Sequence, residues 1–487
     1  MDIGQRKHRS YSEAMHWLLS LLLLLVVTSV VAMPSSQVKK LAEVRDELLQ
    51  ALQYQSNDTG DTARILLTTL WQGRQSRESQ RDMARHPNGV YHLMKFYLAQ
   101  SLKWKPSSAV GRRMAGLRSI LPSYDNFKAA KQSLIRLQQT YHLNVIDMYA
   151  GDYLGHRGPP LTPPDAIQFG MQAFTAHDLE LCRQWLDLAE EKMREQKDDS
   201  DVSRLAFTLA MLSRVYNMLN QTERARDLYN ESFALDPDAF DFDALRKELS
   251  GEISHFVNTT EYQTSSELNK LCSRDKEHRV SEVLPYHVCR YKATPHVPYA
   301  LHKEEILSHR PYVSLFYDMM TPAEVVHEAS NSVRTADSCW IQDDVPVARA
   351  VSLKVKAATG LEVMPDVGSL IYYTDIQQPS SESLQLNDAE KGHTVFPHLG
   401  ISVAPLKGMA LFWYNFEPDM NEIQWLTIHA GCPVLYGNKW IVNKWILSHG
   451  NMFRRPCGTT PNALQADIEQ LLQARDAAAN IQAFHSD

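Results

Sequence analysis

The sequence predicts a multidomain protein, α-helical in its first half and β-rich in its second. Three observations carry that expectation. The chain has 487 residues, 44% hydrophobic and 22% charged, too long for one core and ordinary for a globular protein. Apolar residues recur at helical spacing up to about residue 240. Beyond residue 311, short runs of β-branched and aromatic residues stand between glycines and prolines.

The first element is a leader. Arg6, Lys7, His8 and Arg9 precede the apolar run Trp17–Ala32, which ends in the small residues Ser29-Val30-Val31-Ala32. That layout is a secretory signal peptide over residues 1–32. An uncleaved anchor is the rival, but the run falls short of the roughly 20 residues a membrane span needs. No second long apolar stretch follows, so no span is expected in the mature chain. The formal charge is −7 and no long basic run occurs, which argues against a nucleic-acid partner.

Residues 33–157 read as a helical region. Leu41, Val44, Leu48, Leu49 and Leu52 recur at helical spacing, as do Leu93, Met94, Tyr97 and Leu98, and then Leu134, Leu137 and Tyr141. Gly158-Pro159-Pro160-Leu161-Thr162-Pro163-Pro164 interrupts the helices and marks a boundary. Residues 165–245 then read as two helical units closed by Leu235-Asp236-Pro237, in the manner of a tetratricopeptide repeat of about 34 residues. Residues 246–310 are mixed and polar and read as a linker. Residues 311–457 contain the strand-like runs Val313–Tyr317, Ser369–Tyr373, Met409–Tyr414 and Lys439–Trp445, whose number and spacing suggest a sandwich or jelly roll. Residues 458–487 form a tail with no retention signal at Asp487.

Cysteines stand at 182, 272, 289, 339, 432 and 457, with no CxxC pair, so a zinc ribbon is not expected. In a secreted chain they can pair, but spacing does not choose among the pairings. Sequons at Asn57, Asn220, Asn230 and Asn258 support exposure to glycosylation, as expected of a glycoprotein in the secretory pathway.

The densest signal lies near the C-terminus. Thr394-Val395-Phe396-Pro397 is followed by Pro405–Asn415, by His429-Ala430-Gly431-Cys432-Pro433-Val434-Leu435-Tyr436-Gly437-Asn438-Lys439-Trp440, by Asn443-Lys444-Trp445 and by Phe453-Arg454-Arg455-Pro456-Cys457. Over about 65 residues this resembles the catalytic end of the prolyl 4-hydroxylase α subunit, the collagen-type dioxygenase using Fe(II) and 2-oxoglutarate. Weaker similarity runs through His86-Pro87, Leu93-Met94-Lys95, Ala129-Ala130-Lys131 and Leu137–Tyr141, which resemble the family's N-terminal assembly region, and through Asp165–Pro237, which resembles its peptide-binding helical domain, so that most of the mature chain is covered.

The resemblance implies a double-stranded β-helix holding iron on two histidines and a carboxylate, with open positions for cosubstrate and oxygen. It makes His429 the second histidine and Lys439, ten residues on, the cation for the far carboxylate of 2-oxoglutarate. It implies ascorbate as the iron's rescuer. It implies disulfides Cys272–Cys289 and Cys432–Cys457, with Cys182 and Cys339 not joined to each other. It implies assembly with protein disulfide isomerase in an α2β2-type complex, retention in the endoplasmic reticulum lumen through that partner, and a proline-rich or collagen-like peptide as substrate. Phe174 and Tyr216 are the expected groove residues of the helical peptide-binding domain; Phe169, Trp185 and Phe207 are the other aromatics, and Trp185 reads as core. Leu179 and Glu180 stand where the family's tyrosines are expected.

The departures are as informative. The family's His-x-Asp strand lies before the Thr-Val-Phe-Pro segment, yet only Met364–Gly368 separates the helix end at Thr359–Val363 from the next strand at Ser369. A second shortening falls between Val333 and Cys339, Gln377–Lys391 reads as a polar insertion, and Leu447 replaces a histidine common in the family. Candidate replacements are His302 with Glu304, Asp366, His393, His398, and the tail pair His485 and Asp487; none has the spacing of a His-x-Asp on one strand face. Two readings follow: a hydroxylase with an unusual or incomplete ligand set, or an inactive pseudoenzyme acting as a peptide-binding or regulatory subunit.

Overall fold

The protein was analysed as a computed structural model. It describes residues 40–42, 85–101, 116, 118, 121–196, 201–251, 262–274, 288–294, 297–321, 338–341, 343–363, 369–373, 382–385, 389–419, 422–437, 439–447 and 450–451. The signal peptide, Asn57, Asn258, the shortening at 333–337, Met364–Gly368 with Asp366, Cys457 and the tail with His485 and Asp487 lie outside them.

The helical half contains α1 (Pro87–Ser101), α2 (Tyr124–Tyr141) and α3 (Val145–Ala150). A short hairpin of β1 (Asp152–Tyr153) and β2 (His156–Arg157) follows, then α4 (Pro163–Thr175), α5 (Leu179–Gln196), α6 (Val202–Met218), α7 (Thr222–Leu235) and α8 (Phe242–Leu249). The proline run that interrupts one helix also starts the next. Pro163 and Pro164 occupy the first helical positions, where a missing N–H costs nothing. Asp165 caps the turn by accepting from the Thr162 N–H at 3.0 Å and hydroxyl at 2.6 Å.

The proline run at 158–164 does not interrupt packing. Asp165, fully buried, accepts from the Tyr91 hydroxyl at 2.6 Å and from the Lys95 ammonium at 2.5 Å, both on α1. Burial pushes this carboxyl upward, but Lys95, His92 and the donated hydrogen bonds outweigh it and hold it below the usual carboxylate range. Trp185 on α5, also fully buried, donates to the Gln138 side chain of α2 at 2.7 Å. Tyr91, Phe127, Phe169 and Trp185 thus belong to one core that spans the two expected helical regions.

After α9 (Tyr262–Ser273), the β-rich half begins earlier than residue 311. β3 (Val288–Thr294) and β4 (Val297–His309) pair antiparallel inside the expected linker and continue into β5 (Tyr312–Tyr317). The linker reading fails because charged residues here are strand residues. Glu304, buried, accepts from Arg290 at 2.6 Å, Lys292 at 3.3 Å and the Tyr312 hydroxyl, so cross-strand partners carry its charge inside the fold.

Next come β6 (Ser338–Ile341), α10 (Pro346–Thr359), β7 (Ser369–Tyr373), β8 (Glu382–Gln385), β9 (Ala389–Lys391), β10 (Thr394–Phe396), β11 (Ile401–Val403), β12 (Ala410–Trp413), β13 (Ala430–Gly431), β14 (Val434–Gly437) and β15 (Trp440–Asn443). All four strand-like runs expected beyond residue 311 are strands. The expected insertion at 377–391 is also partly structural: β8 lies between β12 and β15 inside the sheet.

One antiparallel sheet of eight strands runs β3-β4-β5-β12-β8-β15-β7-β6, and a second runs β11-β10-β13. Val313, Leu315, Leu411 and Trp413 of the first pack against Phe396, Ile401 and Val403 of the second. The other face of the large sheet is covered by Val351, Val355 and Ala358 of α10 against Tyr312, Phe316, Phe412 and Val442. Helix first and β second is therefore the architecture.

Cys272 on α9 is bonded to Cys432, not to Cys289. This corrects both expected pairings that involve them. Cys289 sits on β3, exposed and free, because β3 belongs to the large sheet while α9 packs on the small one. Cys182 is free and buried, as expected, and burial pushes its thiol up to about 12.

Candidate functional site

Strand alternation sorts the candidate residues between two faces of the small sheet. His393 and Val395 point to the helical half; Thr394 and Phe396 point between the sheets. Val395, with Ala430 and Cys432, joins the helical core, while Phe396 joins the inter-sheet core. The His393 ring, buried, meets the Ser402 hydroxyl at 3.0 Å, and that hydroxyl donates to the Leu271 carbonyl of α9.

His429 lies on the other face. Its ring is 4.6 Å from the Trp413 ring and 5.7 Å from Phe396. Nδ1 is 2.9 Å from the Thr427 carbonyl, so Nδ1 carries the proton and Nε2 is the basic nitrogen of the neutral ring. His393 therefore does not complete a set with His429, and His398 projects to solvent from the turn Pro397–Leu399.

Lys439 is buried, at 5% exposure. Its Nζ donates to the Gly392 carbonyl at 2.8 Å and to the Thr394 hydroxyl at 3.2 Å. Both acceptors are neutral, and burial lowers the ammonium to about 8. A carboxylate beside this ammonium would repay the desolvation that the carbonyl and hydroxyl leave uncompensated. Gly392 is required there. Its φ is +71°, and a Cβ would meet Val434 Cγ2 at 3.0 Å and Lys439 Cδ at 3.6 Å.

The helical half reaches this anchor directly. The Gly392 N–H donates to the Tyr141 hydroxyl at 3.4 Å, and that hydroxyl donates to the Pro433 carbonyl. Lys391 Nζ donates to the Ser273 and Arg274 carbonyls at the end of α9. His156 of the β1–β2 hairpin stacks on Tyr436 at 4.1 Å and approaches Glu390 at 3.6 Å. His156 carried no signal in sequence, and Tyr436 stood there only within the C-terminal motif, since their contact joins segments far apart in the chain.

Among the described residues, no three histidine, cysteine or carboxylate side chains converge, so the described residues do not fit ferrous iron. His302 and Glu304 lie on β4, where Glu304 is committed to Arg290, Lys292 and Tyr312.

In the helical half, Phe174 (α4) lies 5.4 Å under the Arg214 guanidinium (α6), which pairs with Glu248 of α8 at 2.8 Å. The Tyr216 hydroxyl (α6) faces both Asp187 oxygens of α5 at 3.2 Å. Phe174 and Tyr216 are half-buried, whereas Phe169 and Trp185 are core.

A protein with a helical first half and a β-rich second half, carrying a buried lysine hydrogen-bonded to Gly392 and Thr394, is the class this geometry defines. Residues 35–155 match the family model of the prolyl 4-hydroxylase α-subunit N-terminal region. The rat prolyl 4-hydroxylase subunit alpha-3 is 26% identical over 418 residues, covering 70% of this chain and 76% of that one. The chicken subunit alpha-2 is 28% identical over 415 residues, covering 70% and 77%. Among solved structures, the viral collagen prolyl hydroxylase of Paramecium bursaria Chlorella virus-1, in complex with 2OG, matches at 19% identity and a TM-score of 0.23, covering 28% of this chain and 94% of that one. The chain thus carries the N-terminal region of the prolyl 4-hydroxylase α subunit over residues 35–155 and is similar to such subunits over about 70% of its length.

Proposed function

We propose that this protein is a binding-type α subunit: it takes proline-rich peptide and a 2-oxo dicarboxylate, with prolyl hydroxylation at or near background. Lys439 carries the reading. Its buried ammonium, held by Gly392 and Thr394, supports retention of the cosubstrate's carboxylate anchor, whereas the described residues around His429 supply no second and third ligand. Phe174, Tyr216 and Arg214 support a peptide groove on a tetratricopeptide-like domain at 165–245, since aromatic faces receive proline rings. The β-rich half is read as an incomplete double-stranded β-helix. We read the chain as a resident of the endoplasmic reticulum lumen, in an α2β2-type complex with protein disulfide isomerase, a reading supported by its similarity to prolyl 4-hydroxylase α subunits. Asn220 and Asn230 are exposed and accessible to glycosylation.

A second reading, an active hydroxylase using Fe(II) and ascorbate, is favoured by one observation. The Nδ1 bond of His429 to Thr427 leaves Nε2 as the basic nitrogen, the state a metal ligand needs. The test is an assay of the complex co-expressed with the isomerase, with iron, ascorbate, 2-oxoglutarate and a proline-rich peptide. Peptide binding with background decarboxylation supports the binding subunit. Iron-dependent turnover that disappears in His429→Ala overturns it in favour of the enzyme.

A further inference from the structure

The segment Tyr414–Ile428, between β12 and His429, exposes large apolar side chains on a well-supported frame. Phe416 is 47% exposed, Ile423 52%, Trp425 41% and Leu426 42%. The frame does not explain the exposure as slack. Phe416 and Ile423 face each other across an antiparallel bridge. Gln424, buried, donates its N–H to the Asn415 carbonyl at 2.9 Å and its side-chain amide to Glu417 at 2.8 Å. The Thr427 hydroxyl donates to the Tyr414 carbonyl at 2.9 Å. The turn Trp425–Thr427 packs beside the turn Pro397–Leu399, and Thr427 in turn orients His429. An apolar cluster held outward at an ordering cost already met by the fold is a preorganised contact surface.

Its charge says what it contacts. Glu417, Asp419 and Glu422 stand among these residues, and the segment from Tyr414 to Ile428 contains no lysine, arginine or histidine. Burial and then the charges of Asp419 and Glu422 raise the Glu417 carboxyl, so a cation arriving from outside relieves repulsion within the segment. The partner that fits offers flat apolar rings to Phe416 and Trp425 and a cationic side chain to Glu417 and Glu422.

We propose that the Tyr414–Ile428 hairpin docks an extended proline-rich peptide bearing lysine or arginine, as a second contact for the peptide chain beside the His429 site. This rests on the peptide-binding reading above and adds a selectivity to it: basic over neutral proline-rich sequence, read outside the helical groove.

The test is fluorescence anisotropy on the purified full-length complex with three labelled peptides of equal length. One is a neutral Pro-Pro-Gly repeat, one a Pro-Arg-Gly repeat, one a Gly-Arg-Gly repeat. At low salt the Pro-Arg-Gly peptide is expected to bind about tenfold tighter than the neutral repeat. The pair Glu417→Gln, Glu422→Gln should remove that advantage without changing neutral-repeat binding, whereas Trp425→Ala should weaken both proline-rich peptides and leave Gly-Arg-Gly unchanged. These side chains are largely at the surface, and an unchanged thermal midpoint checks that the fold persists. Tyr216→Ala should weaken the neutral repeat and leave the arginine advantage. Equal binding of the two proline-rich peptides, or an advantage that survives the paired glutamate change, overturns this inference and leaves the groove reading standing. Equal binding of Gly-Arg-Gly and Pro-Arg-Gly overturns it too, showing a surface selective for charge alone. Failure of all three peptides to bind overturns the inference and the peptide-binding reading together.

Discussion

Replacing Lys439 by methionine separates an anion anchor from a structural lysine. Burial lowers the ammonium from 10.5 to about 8, which costs the folded state roughly 3 kcal/mol at neutral pH. The sign follows from proton counting. Between about 8 and 10.5 the unfolded chain holds a proton the folded chain has lost, so this group's contribution to stability rises with pH across that window. Methionine removes the charge and keeps the volume, but leaves the Gly392 carbonyl and Thr394 hydroxyl without their donor, a loss of about 1–2 kcal/mol. Lys439→Met should therefore be more stable by about 1–2 kcal/mol at pH 7, with the gain shrinking toward pH 10. The ligand consequence is opposite. A dicarboxylate needs the charged lysine, and one unit above its pKa only about a tenth of the apo protein carries it. Affinity for 2-oxoglutarate should fall roughly tenfold from pH 7 to pH 9, and Lys439→Met should not bind it measurably. Calorimetric titration without metal, with denaturant unfolding in parallel, reads both. Equal affinity at the two pH values, or binding retained by the methionine variant, refutes the anchor.

Other consequences concern the frame around that anchor. Tyr141→Phe removes the hydroxyl between Gly392 and Pro433 and should weaken 2-oxoglutarate binding a few-fold while leaving the helical content of the circular dichroism spectrum unchanged; unchanged affinity would show that the helical half does not support the anchor. Asp165→Ala strands the Tyr91 hydroxyl and the half-exposed Lys95 and removes a helix cap, a loss of about 3–4 kcal/mol in guanidinium unfolding after discounting the solvent-screened part of the ion pair. Asp165 has a lowered carboxyl, so its ionic contribution is present above the unfolded value of about 4 and disappears as pH falls through the lower folded value; a difference between wild type and mutant that stays the same from neutral pH into acid contradicts the assignment. Non-reducing peptide mapping should recover Cys272 joined to Cys432, and Cys272→Ser should cost about 4–5 kcal/mol for a bridge spanning 160 residues, whereas Cys289→Ser should cost little. A recovered Cys272–Cys289 peptide would restore the pairing implied by resemblance.

Much of the β-rich half was legible in the chain. Val313–Tyr317 and Met409–Tyr414 are runs of β-branched and aromatic residues with no competing helical period, and they form β5 and β12, paired with each other. β3 and β4 were not legible, because Arg290, Lys292, His302 and Glu304 make a polar pattern whose burial is permitted only by partners on the neighbouring strand. β8 was hidden for a related reason: Glu382–Gln385 is polar in composition, and its place is given by backbone register against Ala410–Phe412 and Ile441–Asn443.

The chain by itself determined the order of the halves, the helix start at Thr162–Asp165, the motif containing His429 and Lys439, and the apparent lack of a neighbouring His-x-Asp. These are local properties, set by spacing, side-chain type and the proline's missing N–H. Only the tertiary structure decided that Cys272 meets Cys432, that His393 turns away from His429, and that Tyr141 supports the loop holding Lys439. Each depends on which strand faces which helix: a shift of one residue in register exchanges the two faces of a strand, and no local spacing records that choice.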